Sequence, residues 1–325
     1  MPISAALGSS ALLPAGLGFR NVIINGGFDV WQRGTTAAIP NTSSTSYLAD
    51  RWSAYRDTAG STQSRVAAGL DGFRYALRVQ RNSGNTDQSN FICVSQSFET
   101  SEMVKLAGKR VALSFYARAG ANWSATASRL RGQLQAGSGT EANMIYDGID
   151  NGIYATHVPI DINVGLTTSW QRFTLTGLIP SGSNSGGVLF EWLPLGTPAG
   201  AADYFEITGV QLEQNYQPTP FEQRPIGVEL ALCQRYYTVF EARRLNSEGY
   251  ASSAGYGYYS NVGFPNEMRV APTITLPAAT QSGNTAGIAT NASVDGVVYF
   301  FGSAAAGNAY VLWNAGLKAT ASAEF

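Results

Sequence analysis

Apolar residues recur at every second position through much of residues 21–213. Tyr75, Leu77 and Val79 alternate with polar neighbours in FRYALRVQR, Val111, Leu113 and Phe115 do so in RVALSFYAR, and Phe173 with Leu175 in WQRFTLTGL. A period of two sets such side chains on one face of a half-buried strand. FICVSQSFE, LRGQLQA, VLFEWLPL and YFEITGVQLE share that character, while NVIINGGFDVWQRG reads as strand, glycine turn, strand. Turn residues separate the runs, so about nine strands are expected between Asn21 and Glu213, in an antiparallel β-sandwich. Residues 137–169, rich in Gly, Asp and Asn, read as a surface loop region.

The pattern changes after residue 213. Phe205, Ile207, Val210 and Leu212 alternate with one break at Thr208-Gly209, and Pro218 and Pro220 then bar strand or helix. Past Pro225, Ile226, Leu230, Cys233 and Tyr237 recur at spacings of three and four, which predicts a short helix over 225–237. A smaller β-domain is expected over 238–325. Two short strands are expected either side of Pro265 and around Pro272, with Asp295-Gly296 as a hairpin turn. A core this small is marginal alone, so self-association is the natural remedy. The first 20 residues, apolar and broken by Gly and Pro, carry no positive start of the secretory kind and read as an anchoring arm.

Composition narrows the function. Charged residues make up 13%, net charge is −1 and there is no basic run, so no nucleic-acid footprint exists. No apolar stretch is long enough to span a bilayer. Cys93 and Cys233, each inside an apolar pattern, are expected as buried free thiols. His157 is the single histidine, no nucleophile elbow, P-loop or dinucleotide fingerprint occurs, and no Cys/His cluster has metal-ligand spacing. A carboxylate-pair glycosidase would rest on Glu141, Asp147, Asp150 and Asp161, in a loop-rich stretch.

Sugar binding suits the chain better, because sugar rings need aromatic platforms beside planar polar groups. Trp123, Tyr146 and Tyr154 with Asp147 and Asn151 form one candidate set, and Tyr256 and Tyr258, in a run with Tyr250 and Tyr259, form another. Core or interface packing is the plain alternative for each ring. Trp31, Trp52, Trp170 and Trp192 are assigned to the core, and Asp50 and Arg51 to a structural charge pair.

The order NGGFDVWQRG, YLADRW, SQSFE, LAGKRVALSFYARA, SWQRFTLTG, YFEITGVQLEQNYQPTPFEQRP, then CQRYY, resembles bacteriophage tail-fibre and appendage proteins. Their jelly roll is similar to carbohydrate-binding modules of the galactose-binding-like kind. The resemblance implies a non-enzymatic virion protein, assembled as a homotrimer in the host cytoplasm. Residues 1–20 would join it to other virion proteins, and the jelly roll over 21–224 would bind host surface glycan. A mechanical decoration or connector protein and a glycan-degrading enzyme are the other readings. A structural calcium is implied at Asp29 and Glu206, although Ile207-Thr208-Gly209-Val210 stands where relatives carry paired acids.

Overall fold

The structure is a computed structural model that describes residues 19–40, 46–56, 58–87, 91–139, 141, 157–281 and 284–325. Residues 1–18, with most of the expected arm, and 142–156 lie outside the described residues.

Among the described residues, twelve strands precede residue 214. They are β1 (Thr36–Ala38), β2 (Ser46–Tyr47), β3 (Ser53–Arg56), β4 (Ser61–Leu70), β5 (Phe73–Arg81) and β6 (Ile92–Ser97), followed by β7 (Arg110–Ala119), β8 (Arg129–Gly137), β9 (His157–Gly165), β10 (Gln171–Leu178), β11 (Ser185–Trp192) and β12 (Tyr204–Glu213). They pair antiparallel into two six-stranded sheets, a first in the order β1-β4-β5-β12-β7-β10 and a second in the order β2-β3-β6-β11-β8-β9. The expected sandwich is therefore the observed one. Its inner faces carry the alternating residues: Leu77, Val79, Phe115, Phe190, Phe205 and Ile207 are fully buried. Each such side chain contributes roughly 1.5–3 kcal/mol. Phe115 meets Phe190 edge-on at 4.8 Å.

Several expectations give way. Asn21–Gly34 forms no strand pair. Asn25 and Phe28 have positive φ, and the Asn25 side chain ties Val30 and Asp50 backbone groups together. Polar side-chain locks replace the ladder there. Gly26 is required at this point, because a Cβ would stand 2.1 Å from the carbonyl oxygen of Val210. Residues 157–165 of the expected loop form β9, and Thr100–Leu106 forms a helix, α1, that buries Met103 and Leu106. The break at Thr208-Gly209 is a register shift in the β12–β7 ladder, with Gly209 at φ +62. Trp52 and Trp192 are in the core, and Trp31 packs partly buried against it. Trp170 is only half-buried: its indole donates to the Ala68 carbonyl (2.8 Å) beneath the Arg118 guanidinium.

The second helix, α2 (Ile226–Gln234), leads into β13 (Tyr237–Glu241), β14 (Ser247–Ala251), β15 (Gly257–Gly263), β16 (Thr273–Thr275), β17 (Thr280–Gln281), β18 (Thr285–Ser293), β19 (Gly296–Ser303), β20 (Gly307–Leu312) and β21 (Lys318–Ser322). These make three antiparallel sheets of three strands: β13-β21-β16, β14-β20-β17 and β15-β19-β18. Their shared core includes Phe240, Leu245, Tyr299, Phe301, Val311 and Trp313. Val294-Asp295 forms the β18–β19 turn, close to the predicted dipeptide. The helical face is not as predicted. Cys233 is buried, but Ile226 is 60% exposed and Tyr237 already belongs to a strand. Both cysteines are free and buried.

The C-terminal unit is clasped to the sandwich by charge. The buried Arg51 guanidinium donates to Glu324 (2.7 Å) and to the Ser97 carbonyl (2.7 Å) and lies 3.6 Å over the Tyr236 ring. Arg33 bridges Asp50 (3.2 Å) and Glu324 (3.1 Å). Glu99 accepts both Arg235 nitrogens (3.1 and 3.0 Å) and the Tyr236 hydroxyl (2.6 Å). Asp50 and Arg51 are thus structural, as expected, but each is paired with other residues. The motif FEQRP has a similar physical role. Glu222 accepts the backbone N–H of Arg20 and of Asn21 (3.0 Å each), and Arg224 donates to the Asn21 and Ile23 carbonyls.

Candidate functional site

Alternation that sends one set of side chains into the core sends the next set outward. On the second sheet the outward rows are mixed: Cys93 and Leu189 form a small buried apolar cluster, Ser53, Ser95 and Gln133 are buried beside it, and the exposed polar groups lie toward β8 and β9. One row runs Tyr55, Cys93, Glu191, Arg131, Asn163 across β3, β6, β11, β8 and β9; the next runs Ser53, Ser95, Leu189, Gln133, Asp161. Gln135 follows two residues beyond Gln133 on the same face.

Arg131 organises this surface. Its Nε and Nη2 donate to the two oxygens of Asp161 at 2.9 and 2.8 Å, and its Nη1 stands 3.6 Å from Glu191. Hydrogen bonds from Arg131 hold the Asp161 carboxyl below its ordinary range, against some desolvation. Glu191 behaves oppositely. Desolvation raises its carboxyl, and Arg131, at its longer distance, only partly offsets this. The Gln133 and Gln135 amides lie 3.1 Å apart. Tyr55 and Phe91, with ring centroids 5.5 Å apart, close one end. The surface therefore offers a fixed guanidinium, the Asp161 carboxylate and the Gln135 amide, with Glu191 mostly covered and Gln133 buried beside them, and Tyr55 and Phe91 at one end. Those are the groups that bind hydroxyl edges.

The outward face of the first sheet also holds a carboxylate, but a closed one. Glu206 on β12 is fully buried, with Arg78 at 2.5 Å on one oxygen and Arg118 at 2.6 Å on the other. Arg78 in turn lies 3.9 Å over the Tyr204 ring. Calcium needs several carboxylate oxygens turned toward it. Both oxygens of Glu206 are held by arginines, and no group of three or more ligating side chains occurs among the described residues. Glu206, with both oxygens committed, does not fit the ion.

The other predicted residues fall apart in space. Trp123 packs tilted by 33° near Trp192 (4.4 Å) and edge-on near Phe205 (6.1 Å), which is core packing. Tyr146, Asp147, Asn151 and Tyr154 lie outside the described residues, in the segment joining β8 to β9. Tyr258 stacks on Phe301 (5.1 Å), whereas Tyr256 stays 53% exposed. Glu141 accepts the Thr100 N–H and pairs with Arg269 (3.1 Å), so it serves the fold. Asp161 sits on a strand, not in a loop. Sequence reasoning missed Glu191, Arg131, Gln133 and Gln135. Their signal was present: three long polar side chains at alternate positions of LRGQLQA mark an outward row.

No family model matches the chain, and no curated protein matches it. Carbohydrate-binding modules with jelly-roll folds are among its structural neighbours. The enzymatically active domain of tailspike protein 4 of bacteriophage CBA120 matches 60% of this chain and 22% of its own length, at 11% identity and a TM-score of 0.35. A family 4 carbohydrate-binding module matches 59% of this chain and 98% of its own length (17% identity, TM-score 0.33). The C-terminal family 22 module of Clostridium thermocellum Xyn10B matches 55% and 100% (15% identity, TM-score 0.34). Likenesses this remote leave open what the present chain binds.

Proposed function

We propose that this chain is a non-enzymatic bacteriophage virion subunit, of tail-fibre or appendage type, that binds host surface glycan through the outward face of its second sheet. The observation that carries the reading is the Glu191–Arg131–Asp161 cluster, which spans two neighbouring rows, with the Gln135 amide beside it. A pyranose lying on the sheet meets the Asp161 acceptors, the Arg131 donors and the Gln135 amide at once, and the Tyr55–Phe91 border covers an apolar ring face. Each such contact is weak, and several copies on one particle add avidity. The exposed Tyr259 ring, stacked on Phe300 (5.9 Å) beside exposed Val298 and Ile288, supports self-association into a trimer.

Hydrolysis fits the same acids poorly. A glycosidase places its two carboxyl groups on opposite sides of the scissile bond with room between them. Here Arg131 occupies the space between Glu191 and Asp161, so the face holds sugar without cleaving it. A glycan array probed with the wild-type chain and with Arg131→Ala tests the reading. Glycan signals lost in the variant support it. A chain that binds nothing is a mechanical decoration protein, and one that shortens its glycan is the enzyme. A purified chain that sediments as a monomer removes the trimer.

A further inference from the structure

A second recess lies away from that face, where the Asn25–Asp29 loop meets the FEQRP segment and the start of α2. Its volume is about 310 Å³, and Asp29, Arg74, Tyr75, Phe221, Gln223 and Glu229 help to line it. Most of its charges are already engaged. Glu229 takes the Asn25 N–H and Arg224 (3.3 Å), and Glu222 holds two backbone N–H groups. Asp29 differs. Among the described residues it forms no ion pair within 4.0 Å and no hydrogen bond, although it is half-buried and desolvation raises its carboxyl. Arg74 is the one cation that opposes this rise, so it is near, yet it does not reach Asp29. The exposed Arg74 guanidinium lies only over the Tyr75 ring, at 4.9 Å. The recess thus has an unmet acceptor and an unmet donor set apart, with the Phe221 ring forming part of the wall.

We propose that this recess binds an acidic sugar residue, a hexuronate, whose carboxylate bridges to Arg74, whose hydroxyls donate to Asp29 and whose ring lies on Phe221. A neutral hexose has no anion for Arg74, and a bare carboxylate has no donor for Asp29. A hexuronate supplies both, and its ring fits a recess of this volume. Gly27 keeps the space open. A Cβ there would stand 3.2 Å from the Asp29 carboxylate and 3.6 Å from the Phe221 ring. The assignment deepens the glycan reading by naming a second site and its sugar class, and it rests on that reading.

Saturation-transfer NMR and calorimetry with glucuronate, galacturonate, glucose and galactose, on the full chain, test it. Uronates should bind, and neutral hexoses at least tenfold more weakly. Arg74→Ala and Asp29→Ala should each abolish uronate binding at the recess, whereas Arg244→Ala, an exposed substitution in the C-terminal unit, should leave it unchanged. Gly27→Val, with folding verified by circular dichroism, should block the recess. Uronate binding that survives Arg74→Ala, or equal binding of glucose, overturns the inference. If uronates fail while oligosaccharides still bind in an Arg131-dependent way, this inference falls alone. If nothing binds, the glycan reading falls with it.

Discussion

Two glutamates occupy outward rows on the two sheets of one sandwich, and their surroundings differ in kind. Glu206 has an arginine on each oxygen and is sealed from water. Glu191 has one arginine at 3.6 Å, which Asp161 holds more closely. Alternation alone places both facing outward, so the pattern of the strand does not separate a doubly paired acid from one left short of a partner. What separates them is whether the neighbouring cations are committed. On the first sheet both arginines serve the glutamate; on the second the arginine serves the aspartate and leaves the glutamate short of a partner.

The largest consequence concerns the closed glutamate. Glu206→Gln keeps the volume but leaves Arg78 and Arg118 without their counter-charge. Breaking a buried pair costs about 3–5 kcal/mol, and the arginines, at 28% and 26% exposure, place this one at the lower end. Urea unfolding measures it. A loss below about 1 kcal/mol would mean that water or another group already serves these arginines, and the contrast with Glu191 would collapse.

Asp50, in the clasp between the units, extends the comparison to a third carboxylate. Burial pushes it up to about 6; Arg33 and Gln32 oppose the rise, and Glu324 adds to it. An acid whose folded pKa is raised makes the folded state bind the extra proton between its ordinary value near 3.8 and 6. Its contribution therefore improves as pH falls from 7 toward 4. Glu99 works the other way. Although burial raises it, hydrogen bonds from Arg235 and Tyr236 hold it below its ordinary value, so its stabilisation is lost in acid. Comparing wild type with Asp50→Asn cancels the Glu99 effect. The stability difference between the two should change by about 2 kcal/mol from pH 7.5 to pH 4.5, with the variant relatively better at high pH. A flat difference would mean that Asp50 stays ionised across the range.

The clasp also shows what was legible in the sequence. The strands with strict alternation, β5, β7, β10 and β12, were readable because a period of two survives without context. The bulge at Gly209 announced itself as a break in that period. β9 was not readable, because HVPIDINVG lies in a polar, turn-rich stretch and pairs through its backbone with β8. The Asn21–Gly34 segment misled for the opposite reason: its apolar residues are buried by side-chain locks on Asn25, not by a ladder. FEQRP and CQRYY stood out as motifs, but their work is long-range, from Arg224 to Asn21 and from Arg235 to Glu99. No local pattern encodes such partners. The proposed binding face suffered the same loss, since Arg131, Asp161 and Glu191 come together only through register.

On that face the expected effects are smaller for stability than for binding. Arg131→Ala should weaken glycan binding on the order of 30-fold, because it removes the donors and leaves two acids facing each other. Glu191→Gln is the finer probe. Desolvation raises the Glu191 carboxyl, so its charge carries a net cost above its folded pKa, and that cost is relieved as pH falls. The amide has no such charge, so the variant should match or slightly exceed wild type at pH 7.5, within about 0.5 kcal/mol. Any advantage should vanish as wild type becomes protonated. Binding should respond differently, because an amide still accepts a hydroxyl but no longer holds Arg131 by charge. A loss of a few kilocalories on Glu191→Gln would make Glu191 a structural acid like Glu206, and the glycan face would then have to lie elsewhere.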